Sequence, residues 1–323
     1  MNDPRRTYWL SMHASYGCRH AGACCSSGWA IALEREKVDA IQLLRADRGW
    51  LLPAPGAPTE VAGVIAYGRG GRCVFHRDGC EIQRASGHDA LPSACQHFPR
   101  EVLIDPRGIF VTLSHYCPTA ADLLFEHHGP VEIVAGPPAV PGGTPEGLNA
   151  VDVLPPLLTG SMLMDHEGYA AWEAHMVQTL TTRDTRSPEE ALAILDGQVK
   201  SLQRWRPGKS PLADAVRNLR DDCADTAIPE PFVSVTFFPV VKRLLAAHAF
   251  ASWMAYQGNG LPSVVRKLHL TLATLRMEVA GLRDRACGPL TASALKDAIR
   301  QTDLQLVHLA DRDHLARRLS GWV

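Results

Sequence analysis

The sequence predicts a mainly α protein, in which a small, irregular α+β cysteine-rich metal-binding domain is followed by a helical domain. Two observations carry this prediction. Seven of the nine cysteines lie in the first 117 of the 323 residues, and thiolates gathered in one third of a chain are typical of a bound metal. After residue 150, apolar residues recur at spacings of three and four, which indicates helices. The predicted units are a cysteine-rich domain at 1–135, a Pro/Gly-rich linker at 136–150 and a helical domain at 151–323.

Short apolar runs define the elements of the cysteine-rich domain. The last two of these runs flank the turn sequence at 105–108, an arrangement that is typical of a β-hairpin. This hairpin would bring Cys95 and Cys117 within reach of each other. The predicted elements are a strand at 29–33, a helix at 34–45, and strands at 102–104 and 109–113.

The helical domain is divided by glycine and proline. The residues 257–260 read Gln-Gly-Asn-Gly, and Gly and Asn suit the left-handed conformation that ends a helix. Similar punctuation at 207–208 and 288–289 predicts five or six helices with short connections. The predicted helical segments are 167–181, 188–205, 211–223, 232–256, 262–283 and 292–320.

Composition excludes several classes of partner. Hydrophobic residues make up 46% of the chain and charged residues 21%, as in a soluble globular protein. The 33 basic and 34 acidic residues give a formal charge of -1, so no overall basic field would attract nucleic acid or anionic lipid. The most apolar stretch, 231–256, contains Pro239, Lys242 and Arg243 and is too interrupted to span a membrane. We therefore expect neither a nucleic acid nor a membrane as partner.

The redox compartment follows from the N-terminal residues. They contain no apolar core of a signal peptide and no small-residue cleavage site. The chain is therefore expected to be cytoplasmic, where thiols stay reduced. A disulfide framework is the competing interpretation, but the odd number of cysteines leaves one thiol unpaired in any complete pairing.

The candidate metal ligands follow no standard zinc-ribbon spacing. No pair of C-x2-C elements occurs, and the adjacent Cys24 and Cys25 would point to opposite sides of an extended segment. Four histidines lie near the cysteines and are possible substitute ligands, namely His20, His76, His97 and His115. The predicted ligands are Cys18, Cys24, Cys25, Cys73, Cys80, Cys95 and Cys117.

The order and surroundings of these cysteines resemble the zinc- or iron-chelating cysteine-cluster family that includes the flagellin lysine N-methylases. The resemblance covers about residues 12–125, and one cysteine fewer than in the fuller motif precedes Cys24. The C-terminal helices are similar only in kind, and no functional residue is carried over there. The matching blocks are Gly17-Cys18, Cys24-Cys25-Ser26-Ser27-Gly28-Trp29, Cys73-Val74-Phe75, Cys80-Glu81-Ile82-Gln83, Leu91-Pro92-Ser93-Ala94-Cys95, Phe98-Pro99-Arg100 and Cys117-Pro118-Thr119.

This resemblance implies an iron-sulfur enzyme that modifies a protein or peptide. It implies a four-iron four-sulfur cluster held by the seven cysteines, with zinc as the alternative metal, and methyl transfer from S-adenosylmethionine to lysine. The residues themselves name no catalytic group. No G-x-G-x-x-G follows a strand, so a Rossmann-type cofactor site has no support. The glycine-rich run 68–72 is either a flexible turn or a cradle that binds a phosphate or carboxylate through backbone N–H groups and two guanidiniums.

Arg100 is the candidate cofactor-binding residue, because its fork of donors suits an anion or a cluster; a surface salt bridge is its alternative role. Two other functions stay open at this point. One is a noncatalytic zinc- or iron-binding protein whose helices bind a partner. The other is an iron-sulfur redox enzyme that acts on a small molecule. Cys223 and Cys287 are interpreted as small apolar residues rather than ligands.

Overall fold

The computed structural model describes residues 6–45, 47, 49–140, 145–221, 228–285 and 288–321. It shows a mixed α+β protein, so the prediction of a mainly α fold is wrong. Three β-sheets occur within this part of the chain, and the largest of them packs against the helices. Sequence patterns missed most of these strands because they are only two to six residues long, too short for an alternating pattern to emerge.

The central sheet has five strands in the order β7-β1-β6-β5-β8. The pairings of β1 with β6 and of β5 with β8 are parallel, whereas those of β1 with β7 and of β5 with β6 are antiparallel. A three-stranded antiparallel sheet has the order β2-β4-β3, and β9 pairs with β10. The strands are β1 Thr7–Leu10, β2 Ala32–Glu34, β3 Leu51–Leu52, β4 Val61–Ile65, β5 Arg100–Asp105, β6 Gly108–Leu113, β7 Ile133–Ala135, β8 Leu148–Asn149, β9 Leu157–Thr159 and β10 Met162–Leu163.

Short helices connect the strands, and longer ones form the C-terminal half. The α-helices are α1 Val38–Gln42, α2 Glu81–Ser86, α3 Ser93–His97, α4 Pro118–Glu126, α5 His166–Thr181, α6 Pro188–Leu202, α7 Leu212–Arg217, α8 Phe238–Ala249, α9 Met254–Gln257, α10 Leu261–Arg285, α11 Ala292–Asp303 and α12 Arg312–Ser320. Single turns of 3₁₀-helix lie at Arg35–Lys37, His88–Ala90 and Val235–Phe237, and a π-helix lies at Leu304–Leu309.

The predicted hairpin is confirmed. Strands β5 and β6 pair without interruption from Arg100 opposite Leu113 to Asp105 opposite Gly108. The predicted helix at 232–256 is divided instead, because the chain leaves helical geometry between α8 and α9, where Ala251 has a φ of +52°. The predicted helix at 211–223 ends earlier in the structure, and its last two residues lie outside the described part of the chain.

Of the three hydrophobic cores in the described residues, two organise the helical half and the cysteine-rich part. The larger one joins Leu10 and Phe110 of the central sheet to Trp172 of α5 and Leu245 of α8. The smaller one surrounds the cysteines and includes Ile31, Leu33, Ile41, Trp50 and Phe75. The bounds given above for two domains and a linker stay a prediction. Among the described residues, no helix is both long and apolar enough to cross a membrane.

The hairpin turn is anchored in the helical half by a buried ion network. Arg107 donates from Nε and Nη2 to Asp105 at 2.7 to 3.2 Å and from Nη1 to Glu173 of α5 at 2.9 Å. Its guanidinium lies between the rings of Phe110 and Tyr169, 4.2 and 4.3 Å from their centroids. The turn therefore holds the sheet that leads to the cysteines in a fixed position against α5.

Candidate metal centre

All seven predicted cysteines and Arg100 line one cavity of about 320 Å³. A single water needs only roughly 10–15 Å³ of such space, so the cavity is much larger than a lone ion requires. The described cysteines form no disulfide. The structure thus gathers residues of all seven sequence blocks at one place, and the role of the cysteines as ligands stays a prediction.

A tight turn positions the vicinal pair. Gly22 has a φ of +74°, and the backbone N–H of Cys25 donates to its carbonyl at 3.0 Å. The carbonyl of Cys25 in turn accepts from the N–H of Cys73 at 2.7 Å. This contact fixes the first two cysteine blocks relative to each other.

Helix ends and a short helix supply the next three cysteines. Cys80 immediately precedes α2 and Cys117 immediately precedes α4, whereas Cys95 lies within α3. The hairpin of β5 and β6 connects the segments of Cys95 and Cys117, as its sequence predicted. Residues just before a helix direct side chains toward unpaired backbone N–H groups, which favour a thiolate.

Cys25 lies at the centre of a thiol group that includes Cys24, Cys73 and Cys80. The sulfurs of Cys24 and Cys25 are 3.9 Å apart. Contact with the Cys25 thiol lowers the pKa of Cys24 and Cys73, and it lowers the pKa of Cys80 to about 6 together with the N–H groups of Gln83 and Ile82. The same contacts raise the pKa of Cys25. The single S–H of Cys25 donates to one sulfur at a time, and the sulfur that it stabilises is a thiolate, the form that binds metals.

The opposite end of the cavity is formed by Cys18, Cys117, Tyr16 and Arg100. The Tyr16 hydroxyl lies 3.7 Å from the Cys117 sulfur, and the ring of Tyr16 lies 5.3 Å from the Arg100 guanidinium carbon. Burial raises the pKa of Cys18, and it raises the pKa of Cys95 farther. Cys18 and Cys95 therefore favour the neutral thiol.

Arg100 has the properties of an anion ligand rather than a surface ion pair. Its Nη1 donates to the carbonyl of Gln96 at 3.2 Å, but its Nε is buried without a hydrogen-bond partner. In the described part of the chain, no carboxylate oxygen lies within 4.0 Å of its nitrogens. A cation left unpaired beside seven sulfurs suits a negatively charged cluster or a substrate carboxylate.

The sulfurs of Cys24 and Cys25 lie 3.9 Å apart. Four sulfurs at about 2.3 Å from zinc would lie roughly 3.8 Å apart in a tetrahedron, so this pair has the spacing of two ligands to one ion. In the described ranges, the three side chains whose ligand atoms all lie within 4.8 Å of one another are His115, His248 and Asp303, and no three cysteines meet this criterion. The metal of this cavity, an iron-sulfur cluster or zinc, therefore stays a prediction.

The histidines proposed as substitute ligands do not line this cavity. His97 Nδ1 contacts the Ser93 carbonyl at 2.7 Å and its Nε2 accepts from the N–H of Glu146 at 3.1 Å. His76 packs beside Gly22, and His20 lines a neighbouring pocket. His115 belongs to a separate buried cluster. The histidine that lines the cavity is instead His88. Its spacing from the cysteines in the sequence did not mark it as a metal ligand.

Sequence reasoning also missed an aromatic wall. The rings of Trp29, Phe98, Tyr116 and His308 contact one another at centroid distances from 4.7 to 6.4 Å. Phe98 carries this wall to the cavity surface. His308 comes from the C-terminal π-helix, 194 residues from its hydrogen-bond partner Ser114, so no local pattern could have found it.

The glycine-rich run lies away from the cavity. The run at 68–72 is a tight turn, in which the N–H of Gly68 donates to the carbonyl of Arg72 at 2.7 Å, and it does not line the cysteine cavity. Cys223 and Cys287 lie outside the described residues.

Comparison with protein families, with curated proteins and with solved structures found no match to this chain. The resemblance to the cysteine-cluster family thus stays a prediction from the sequence blocks.

Proposed function

We propose that this chain is an iron-sulfur enzyme that methylates a lysine of a protein or peptide with S-adenosylmethionine. One observation carries the proposal: the seven cysteines of the resembling blocks line a single cavity together with an unpaired arginine. The seven free thiols suit a reducing compartment, so a cytoplasmic location is part of the proposal. Nucleic acid and membrane are not proposed partners.

Three of the sulfurs have the strongest case as ligands. Cys24, Cys73 and Cys80 surround Cys25 and have lowered pKa values. A four-iron four-sulfur cluster bound there, with one iron not held by protein, would supply a site for the amino and carboxylate groups of S-adenosylmethionine. Arg100 would pair with the carboxylate or with the negative charge of the cluster.

The net reaction sets what the protein must do. The methyl group leaves the sulfonium of S-adenosylmethionine and joins the lysine nitrogen, so S-adenosylhomocysteine leaves and the amine gives up one proton. The amine must be neutral to accept the methyl group, and a site that excludes water lowers the pKa of an ammonium. The apolar cavity wall at Ile31, Ile65 and Phe98 provides such surroundings.

Metal and sulfide analysis of protein purified without oxygen tests the proposal first. We expect about four irons and matching acid-labile sulfide per chain, and S-adenosylmethionine binding that is lost in Cys80→Ser. Cys223→Ser, which changes a cysteine outside the resembling blocks, is the matched control and should keep both.

The other outcomes identify the alternative functions. Stoichiometric zinc without sulfide would contradict the proposal and favour a zinc-stabilised binding protein. Iron and sulfide without S-adenosylmethionine binding would contradict methylation and favour an iron-sulfur redox enzyme.

A further inference from the structure

A second cluster of metal-binding side chains lies behind the cysteine cavity. His115 follows β6, His248 lies on α8 and Asp303 ends α11, and all three are buried. His248 Nε2 lies 2.8 Å from Asp303 Oδ1, and His115 Nδ1 lies 3.1 Å from Asp303 Oδ2. The ring nitrogens of both histidines therefore face one carboxylate from two sides.

The carboxylate of Asp303 has no permanent positive partner. It is 1% exposed, and the ion pairs found for it within 4.0 Å in the described ranges are those with the two imidazoles. A buried carboxylate is costly unless a cation compensates it. A metal ion bound by the carboxylate and both imidazoles would supply that charge.

The surroundings hold His115 in the orientation that a metal ligand needs. Its Nε2 lies 3.3 Å from Nε2 of the buried His13. If the Nε2–H of His115 donates to His13, then Nδ1 of His115 is free to bind a cation. A hydrogen bond at the second ring nitrogen is the usual support of a metal-binding histidine.

Space for further ligands adjoins the cluster. A small cavity of about 30 Å³ is lined by His248 and Asp303, together with Glu101, Lys267 and Ser114. This volume accepts one or two waters. Three protein ligands and a position for water are the arrangement of an open metal site.

We propose that His115, His248 and Asp303 bind a divalent transition metal, of the Fe²⁺ or Zn²⁺ class. Two imidazoles and one carboxylate suit these ions, whereas Mg²⁺ and Ca²⁺ prefer oxygen ligands alone. This site contains no cysteine and is independent of the proposed methyl transfer.

Titration of the metal-free protein with Co²⁺ under reducing conditions tests the site. Thiolate-bound Co²⁺ has an intense near-ultraviolet charge-transfer band, whereas Co²⁺ bound by nitrogen and oxygen has only the weak visible bands. Once the charge-transfer band has stopped growing because the cysteine ligands are occupied, we expect one further equivalent of Co²⁺ that adds visible bands only.

His248→Gln should weaken the binding of this further equivalent by roughly 100-fold or more, because a ligand is lost. The matched control is His269→Gln, which changes a histidine that pairs with Asp196 at 2.8 Å on the surface. It should bind Co²⁺ as before. Equal binding in both variants would overturn the proposal.

Zinc-edge X-ray absorption before and after a further equivalent of Zn²⁺ is added to protein whose cysteine ligands are occupied tests the site without altering it. The added Zn²⁺ should bring scatterers at about 2.0–2.1 Å from nitrogen and oxygen. An added ion that enlarges the sulfur shell at about 2.3 Å, or the absence of a further bound ion, would overturn the proposal even if His248→Gln fails to fold.

Discussion

At the residue scale, the effect of a buried charge on stability depends on whether an opposite charge lies beside it. Arg107 is 5% exposed and bound to two carboxylates, so its charge is compensated within the protein. Lys267 is also buried, but its ammonium contacts the Trp253 ring at 5.2 Å instead of a carboxylate. Removing Arg107 should therefore lower the free energy of unfolding, whereas removing Lys267 should raise it at neutral pH.

Arg107→Ala should lower the free energy of unfolding by about 3–5 kcal/mol, because it leaves Asp105 and Glu173 buried without their cation. Urea denaturation followed by circular dichroism measures this loss. Arg186→Ala is the control, since Arg186 pairs with Asp184 and Asp221 near the surface and should cost only about 0–1 kcal/mol. Equal losses in the two variants would contradict the importance of burial.

Lys267 should make stability rise with pH. Burial, followed by the charge of Arg312, lowers its pKa from 10.5 to about 8 in the folded chain. The unfolded chain therefore binds more protons between about pH 8 and 10.5, so folding becomes more favourable as pH rises through this window. Below about pH 8, Lys267 is charged in the folded and the unfolded chain, so the full cost of burying this charge lowers the free energy of unfolding.

Relative to Lys267→Met, wild-type stability should thus gain about 3 kcal/mol from pH 7 to pH 10.5. Denaturation of both proteins across this range measures the difference. A constant difference would show that Lys267 keeps an ordinary pKa.

At the element scale, short turns determine where the sulfurs lie. The turn at Gly22 needs a positive φ, and a Cβ there would lie 2.5 Å from Nε2 of His76. The β5–β6 hairpin similarly spaces the segments of Cys95 and Cys117. The described residues of the C-terminal helices α5 to α12 do not line the cysteine cavity.

Gly22→Ala should weaken metal binding at the cysteine cavity, because both the backbone and His76 must move. The control is Gly28→Ala, where φ is +80° but a Cβ would meet nothing within 4 Å. Both variants share a backbone cost of about 1–2 kcal/mol, which thermal denaturation measures. Metal content should fall only in Gly22→Ala, and an equal fall in both would show that the contact with His76 is unimportant.

At the scale of the whole molecule, the two cores depend differently on metal. The larger core is built from the central sheet and the helices, whereas the smaller one surrounds the cysteines. Metal binding contributes directly to the folding of small metal-bound units. The smaller core should therefore be the part that metal removal destabilises.

Hydrogen exchange after chelation should show this division. We expect faster exchange in residues 24–95 and unchanged protection in α5, α8 and α10, because local stability follows the surrounding packing. Readdition of metal should restore the slow exchange. Uniform loss of protection throughout the chain would instead mean that both cores unfold as one unit.

The sequence by itself determined the features that depend on near neighbours. The β5–β6 hairpin and most of the C-terminal helices follow from turn residues and apolar spacing. The clustering of seven cysteines between residues 18 and 117 predicted one site, and all seven line one cavity. These features are readable because the interacting residues, or the motifs that hold them, lie close together along the chain.

Only the tertiary structure decided which distant segments meet. The parallel pairing of β1 with β6 joins strands about a hundred residues apart, and Asp303 contacts His115 across 188 residues. Burial of Arg107 likewise depends on Glu173, 66 residues away. The spacing of apolar residues along the chain indicates whether a segment is a helix or a strand, but not which segment it packs against. That partner is determined by how the apolar faces of all elements pack into a common core.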